Sequence, residues 1–388
     1  MEILEEFEKI FQTVPQWIVR APGRVNLLGE HVDYNDGPVL PIALDLNVQM
    51  AAAPLKENIL RLLAADLDDE VSIPLSDLEA KVTTSGKPMP DWARYPAGVG
   101  WSLMEAGYPL GGAQALFRSN IPIGAGLSSS AAVEVAFGVL WQALGGWEID
   151  RMTLAKLCQR AENVYVGVSC GLMDQFASAC GVKGHALYLD TRSFEWRPVA
   201  LPVGVSIVIV DSGVRRELLT SAYNERRASC ESALEHLKEY LPNIHSLRDI
   251  STVEFAAFGF YLPEVERKRA EHVVKEIARV HSAVNAIERN DLQALGALMY
   301  AGHASLRDMY EVSHPALDIL VGIARQIPGC IGARLTGAGF GGCTVNLVHE
   351  NACQNFIPRI IEEYRHRTGF MAKAYLCSAS DGALATKL

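Results

Sequence analysis

The chain has 388 residues, enough for two or three domains. Its 49% hydrophobic and 21% charged residues are the make-up of a soluble globular protein. A net charge of −10 argues against a nucleic-acid footprint, though not against a small phosphate ligand held by backbone dipoles. No apolar run approaches membrane-spanning length and none of the eight cysteines forms a C-x-x-C pair, so a membrane span, a zinc ribbon and a redox motif are disfavoured; free thiols in a cytoplasmic protein are expected.

Residues 1–14, MEILEEFEKIFQTV, set Ile3, Leu4, Phe7, Ile10, Phe11 and Val14 at helical spacing behind an acidic start. That predicts an amphipathic surface helix rather than an export signal. QWIVRAPGRVNLLG reads as strand and turn, and VLPIALDLNVQMAAAP as strand. DWARYPAGVGWSLMEAG reads as helix, and AQALFRSNIP as a strand entering a Gly/Ser loop. Ser129 to Leu144 is helical by composition, and a second helix runs from Asp150, an N-cap, to Val166. HALYLD and VSIVIVDS are strands. A helix spans Arg226 to Tyr240, followed by a less regular stretch to about Leu262 and two long helices. The strands GARLTG and GCTVNLV, a helix and a final strand KAYLCSAS close the chain. Strands and helices mix without strict alternation, which predicts α+β with a boundary near 195–205, drawn as 1–198 and 199–388.

Four stretches carry candidate chemistry. GRVNLLGEHVDYNDGPVLP, from residue 23, sets Arg24, Glu30, His31, Asp33 and Asp36 in an apolar frame. NIPIGAGLSSSAAVEVA, residues 120–136, places Gly124 and Gly126 before Ser128, Ser129 and Ser130 at a helix start. That combination suits a phosphate, although no lysine succeeds the last glycine as in a P-loop, and a serine-capped loop is the plain alternative. RLTGAGFGGCTVNLV matches G-x-G-x-x-G formally, but its last six residues, CTVNLV, alternate like a strand. A dinucleotide fingerprint must open a helix, so the stretch reads as a tight turn or a support for the phosphate loop. In CGLMDQFASACG, Asp174 is either a capping or salt-bridged residue or a catalytic carboxylate beside a cation such as Arg24. Glu162 is either solvent-facing or one carboxylate of a Mg²⁺ set. Tyr223 is packing or a hydroxyl on a polar ligand. Trp92 and Tyr95 are core or a wall for a nucleobase. His185, His303 and His314 lack metal-ligand spacing.

Taken in order, PGRVNLLGEHVDYNDGPVLP, PIGAGLSSSAAVEVA, CGLMDQ, YNERR and RLTGAGFGGC resemble the GHMP kinase superfamily, and within it the galactokinase family, over roughly residues 18 to 380. The resemblance implies a two-domain fold, a ribosomal protein S5 domain 2-like N-terminal half and a ferredoxin-like C-terminal half, with the active site between them. It implies Asp174 as the carboxylate facing the sugar C1 hydroxyl and Arg24 as the cation beside it. Glu30, His31, Asp33, Gly171 and Tyr223 would hold galactose hydroxyls. Gly124, Ala125, Gly126, Leu127, Ser128, Ser129 and Ser130 would wrap the ATP phosphates. Ser129 and Glu162 would bind Mg²⁺, and Trp92 and Tyr95 would lie near the adenine.

Three positions depart from the family pattern: Val32 for a common Thr, Ala338 for a common Gly, and His314 for a frequent Cys. The expected reaction is phosphorylation of galactose at C1 by MgATP, in a monomer or weak homodimer without nucleic-acid or membrane partners. The competing readings are a C1 kinase for N-acetylgalactosamine, galacturonate or arabinose, a non-catalytic galactose and ATP sensor, and a dinucleotide oxidoreductase.

Overall fold

The computed structural model describes residues 2–215 and 219–388. In chain order the first half comprises α1 (Glu2–Phe11), β1 (Trp17–Asn26), β2 (Pro41–Pro54), β3 (Ile59–Ala64), β4 (Asp69–Pro74), α2 (Arg94–Glu105), β5 (Ala113–Ser119), α3 (Ser129–Gly145), α4 (Arg151–Arg160), α5 (Met173–Cys180), β6 (His185–Leu189) and β7 (Trp196–Ala200). The second half comprises β8 (Val205–Asp211), α6 (Leu219–Lys238), α7 (Thr252–Phe258), α8 (Glu264–Glu288), α9 (Leu292–Asp308), α10 (Pro315–Gln326), β9 (Cys330–Leu335), β10 (Cys343–His349), α11 (Cys353–Thr368), β11 (Lys373–Cys377) and β12 (Leu384–Lys387).

Hydrophobic spacing accounts for the packing. In α1, Ile3, Phe7 and Phe11 recur every four residues and bury together against Ala51, Ala53 and Leu116 of the sheet. Helix α3 is apolar nearly all round, and it is buried nearly all round; Gly146 ends it in a left-handed conformation. Asp150 caps α4 as expected, accepting from the Thr153 N–H at 2.9 Å. The helix does not run unbroken to Val166: from Ala161 it widens into a π turn that carries Glu162.

Six strands form one sheet in the order β12-β1-β2-β5-β3-β4, antiparallel except for β3 beside β5. Four more form an antiparallel sheet in the order β11-β8-β10-β9. Counted from β8, that order is fourth-first-third-second, with helices crossing from β8 to β9 and from β10 to β11. This is the ferredoxin-like arrangement expected of the second half. The G-x-G-x-x-G segment joins β9 to β10 as a turn between antiparallel strands, which removes the dinucleotide reading.

The strand KAYLCSAS does not close the chain. After β11 the backbone returns to the first sheet, where β12 pairs with β1 from Trp17↔Lys387 to Arg20↔Leu384. The halves are therefore not the continuous blocks 1–198 and 199–388; the last strand of the second completes the sheet of the first. LATK is short and mostly exposed, so it has no alternation to betray it. The β3–β4 hairpin is a further element outside the sequence reading. So is α7, inside the stretch read as less regular; the reciprocal bonds of Ser251 and Glu254 cap it.

Candidate active site

Loops from both halves converge on a cavity of ≈ 280 Å³. At its centre, Arg24 near the end of β1 meets Asp174 in the first turn of α5. Nε and Nη2 of Arg24 donate to the two carboxylate oxygens at 2.7 Å each, and Nη1 donates to the Gly126 carbonyl at 2.7 Å. Arg24 is 5% exposed and Asp174 28%, so the planar fork is shielded while the carboxylate faces the cavity. Burial opposes the Arg24 charge most, but Asp174, with Glu30 and Asp33 adding to it, raises the guanidinium pKa on balance. The Ser128 hydroxyl adds a third hydrogen bond, to Asp174 Oδ2.

One wall is the loop before α3. Gly124 (φ 71°) and Gly126 (φ 84°) take left-handed conformations, and Ser128 is held in one (φ 59°) as the α3 N-cap. The loop lies directly on β1: the Arg24 N–H donates to the Leu127 carbonyl at 3.0 Å, and a Cβ on Gly23 would stand 2.7 Å from that oxygen. The three serines separate by role. Ser128 reaches Asp174, Ser129 opens the helix, and Ser130 bonds Glu162, so Ser130 rather than the expected Ser129 stands beside the metal candidate.

Glu162 is buried, not solvent-facing. Its Oε2 accepts from Gln175 Nε2 at 2.6 Å and from the Cys170 thiol at 3.2 Å. Burial pushes its carboxyl up to about 7. Glu134, fully buried on α3, is raised further, first by burial and then by Glu162. A buried carboxylate and a hydroxyl at a phosphate loop are hard oxygen donors of the kind Mg²⁺ takes alongside phosphate oxygens, so the residues fit that ion. Arg215 was missed in the sequence. Its guanidinium holds Asp211 at 2.9 and 3.0 Å, and its Cδ lies 3.4 Å from where a Gly124 Cβ would be, which puts a cation over the loop.

The other wall is the irregular chain between β1 and β2. Glu30, 2% exposed, accepts from the Gly337 N–H at 2.8 Å and the Thr336 hydroxyl at 3.3 Å. Burial raises its carboxyl even against Arg334 and Arg24. His31 sits at φ 62°, with Nε2 3.2 Å from the Ala338 carbonyl and Nδ1 2.9 Å from the Tyr34 hydroxyl. A carbonyl only accepts, so Nε2 carries the proton and the Tyr34 hydroxyl donates to Nδ1. Burial, with His272 adding to it, lowers the imidazole to about 3 and keeps it neutral. Asp33 is raised to about 7 by burial, then by Asp174 and Glu30. A Cβ on Gly171 would stand 1.6 Å from Asp33 Oδ2, so only glycine admits that carboxylate. Tyr223, from α6, completes the wall, its ring centroid 5.6 Å from that of His31.

The sequence singled out most of this lining but not what holds it. Arg334 is fully buried and donates to Glu276 Oε1 at 2.9 Å and to the Leu27 carbonyl at 3.0 Å. Glu276 Oε1 also accepts from the Gly29 N–H at 2.9 Å, and Oε2 from Arg279 at 2.6 Å. Burial would raise the Glu276 carboxyl, but Arg279 and Arg334 hold it below the ordinary range. These residues join α8 and β9 to the 27–30 loop, and no local spacing announces them.

Trp92 and Tyr95 do not line this cavity. Trp92 packs on Phe117 and donates to Asp69 at 2.7 Å, whereas Tyr95 lies within the field of Glu162 and Glu134, and burial raises its hydroxyl to about 12. Val32 is fully buried under Gly37, away from the cavity, so its departure from Thr does not touch a ligand there. His314 caps α10 by accepting from the Ala316 N–H at 3.1 Å. Cys158, Cys170, Cys180, Cys230, Cys330, Cys353 and Cys377 are free thiols, and no helix among the described residues is long and apolar enough to cross a membrane.

The chain is similar to known proteins over its whole length. Residues 5–54 match the galactokinase galactose-binding signature, 95–182 the GHMP kinases N terminal domain, and 283–366 the GHMP kinases C terminal domain. A galactokinase of Roseiflexus sp. (strain RS-1) is 45% identical over 98% of this chain and 96% of its own length. One of Halalkalibacterium halodurans is 44% identical over 93% and 91%. The crystal structure of Lactococcus lactis galactokinase complexed with galactose superposes with a TM-score of 0.93 at 34% identity, covering 100% of this chain and 99% of that one. A mevalonate kinase, at TM-score 0.65 and 19% identity, shares the fold. The chain belongs to the galactokinase family of the GHMP kinases.

Proposed function

We propose that this member of the galactokinase family transfers the γ-phosphoryl group of ATP to the C1 hydroxyl of α-D-galactose, giving galactose 1-phosphate and ADP. One observation carries the proposal. Asp174, clamped by Arg24 and Ser128, stands where the glycine-serine loop meets the lining of Glu30, His31 and Asp33, in one cavity. Phosphoryl transfer depends on positioning and charge neutralisation more than on covalent chemistry.

An ionised carboxylate offers about four acceptor positions. Arg24 takes two of those on Asp174 and Ser128 a third, which leaves one for the C1 hydroxyl. Asp174 thereby orients that hydroxyl on the transferring phosphorus and accepts its proton as the P–O bond forms. The amides at the start of α3 hold phosphate oxygens, and Arg24 and Arg215 offset the charge on the γ-phosphoryl group. Ser130 and Glu162 would hold Mg²⁺, which when bound neutralises charge between the phosphates. Glu30, Asp33 and Tyr223 take sugar hydroxyls, and His31 shares its Nε2 proton between the Ala338 carbonyl and the sugar. We place the enzyme in the cytoplasm.

The test is phosphorus NMR of the product formed from galactose and ATP. A phosphoester on C1 is expected; phosphate on C6, or release of inorganic phosphate alone, would overturn the assignment. A complete Arg24–Asp174 pair disfavours a mere sensor, which would bind both ligands without turnover.

A further inference from the structure

Asp174 and Gln175 are neighbours on α5 with different partners. Asp174 meets Arg24, whereas Gln175 is fully buried and its Nε2 donates to Glu162 Oε2 at 2.6 Å and to Glu134 Oε2 at 2.9 Å. Cys170 donates to the same Glu162 oxygen at 3.2 Å, and Ser130 also bonds Glu162. Glu134 lies on α3 four residues after Ser130, one helical turn further in.

The absence of arginine here is informative. Two other carboxylates here pair with cations: Asp174 with Arg24, and Glu276 with Arg279 and Arg334. Among the described residues neither Glu134 nor Glu162 has an ion-pair partner; a neutral amide joins them instead. An amide fixes a carboxylate without cancelling its charge, and two carboxylates without a cation are costly to bury. With Oε2 of Glu162 held by Gln175 and Cys170, the remaining oxygen is the one for a cation entering from the cavity.

We propose that Gln175 is a positioning residue: anchored on Glu134, it orients the Glu162 carboxylate toward the divalent cation that accompanies ATP. This rests on the reading of Glu162 as the metal seat. Because Asp174 and Gln175 share one turn of α5, the group that faces the sugar and the group that aims the metal ligand move together.

The probe is Mn²⁺ in place of Mg²⁺, its affinity read by electron paramagnetic resonance on the full chain with a non-hydrolysable ATP analogue. Galactose affinity is measured separately by calorimetry without metal or nucleotide. Gln175→Met is expected to weaken Mn²⁺ binding by about 10- to 100-fold, the usual effect of losing a partner that orients a metal ligand, and to leave galactose affinity unchanged. Gln175→Asn, which keeps the N–H donors on a shorter arm, should weaken it less and serves if the methionine variant folds poorly. Glu134→Gln, which keeps an oxygen acceptor for Gln175, should bind Mn²⁺ within about threefold of wild type. Wild-type Mn²⁺ binding in Gln175→Met would overturn the proposal, as would equal losses of Mn²⁺ and galactose affinity, which a merely structural role gives. Glu162→Ala separates the two claims. If it weakens Mn²⁺ binding while Gln175→Met does not, only the positioning role falls; if neither does, the metal seat falls with it.

Discussion

The two walls of the cavity are built from different materials. The phosphate-loop wall is made of backbone: left-handed Gly124, Gly126 and Ser128, a helix start, and carbonyls resting on β1, all within a few consecutive residues. The sugar wall is made of charged side chains from Glu30 to Arg334, far apart in sequence and fixed by buried ion pairs. A backbone wall recognises charge and shape, which any triphosphate presents. A wall of oriented carboxylates and an imidazole suits a pattern of hydroxyls, so under the proposed function selectivity between sugars resides there.

Substitutions should separate the walls. The largest effect belongs to the point where they meet: Asp174→Ala should lower kcat by about 10²–10⁴-fold, while an ATP analogue still binds. Near-normal turnover would remove Asp174 from the reaction. Next comes the frame of the sugar wall. Arg334→Met leaves Glu276 and Glu30 buried beside a lost cation and should destabilise the fold by about 3–5 kcal/mol in urea unfolding. Ser130→Ala, on the backbone wall, should change stability by under about 1 kcal/mol. Equal losses would mean that the walls share one frame.

A smaller effect is expected at Gly171. A Cβ there displaces the Asp33 carboxylate, so Gly171→Ala should raise the galactose KM by about tenfold, roughly 1.4 kcal/mol, without moving the ATP KM. A matching rise in both would deny the division of labour. The mildest effect is in pH. Burial and the neighbouring carboxylates hold Asp33 protonated up to about 7, and under the proposed function it is the ionised form that accepts sugar hydroxyls. The galactose KM should therefore fall severalfold as pH rises from 6 to 8, and Asp33→Asn should abolish that dependence. A KM that rises with pH would show that the protonated form binds sugar.

The same division explains what the sequence disclosed. The phosphate loop was legible because glycine, serine and a helix start act over consecutive residues, and Asp150 as a cap was legible for that reason. Arg24 and Asp174 stood out because a charge in an apolar setting needs a partner, although only the fold shows the 2.7 Å fork between them. Arg334 and Glu276 were illegible: each sits in an ordinary amphipathic helix or strand, and their role exists only where α8, β9 and the 27–30 loop meet. Ser129 was preferred to Ser130 because spacing does not fix which hydroxyl of a serine run turns inward. The strand Leu384–Lys387 escaped because its pairing with β1 closes across nearly the whole chain.

The most direct measurement is ADP release from ATP and Mg²⁺ in the presence of galactose, glucose or N-acetylgalactosamine. The account predicts release that depends on galactose, is at least tenfold slower with either other sugar at equal concentration (~1.4 kcal/mol of discrimination), and disappears in Asp174→Ala. Release that ignores the sugar, or that glucose supports as well as galactose, would contradict it.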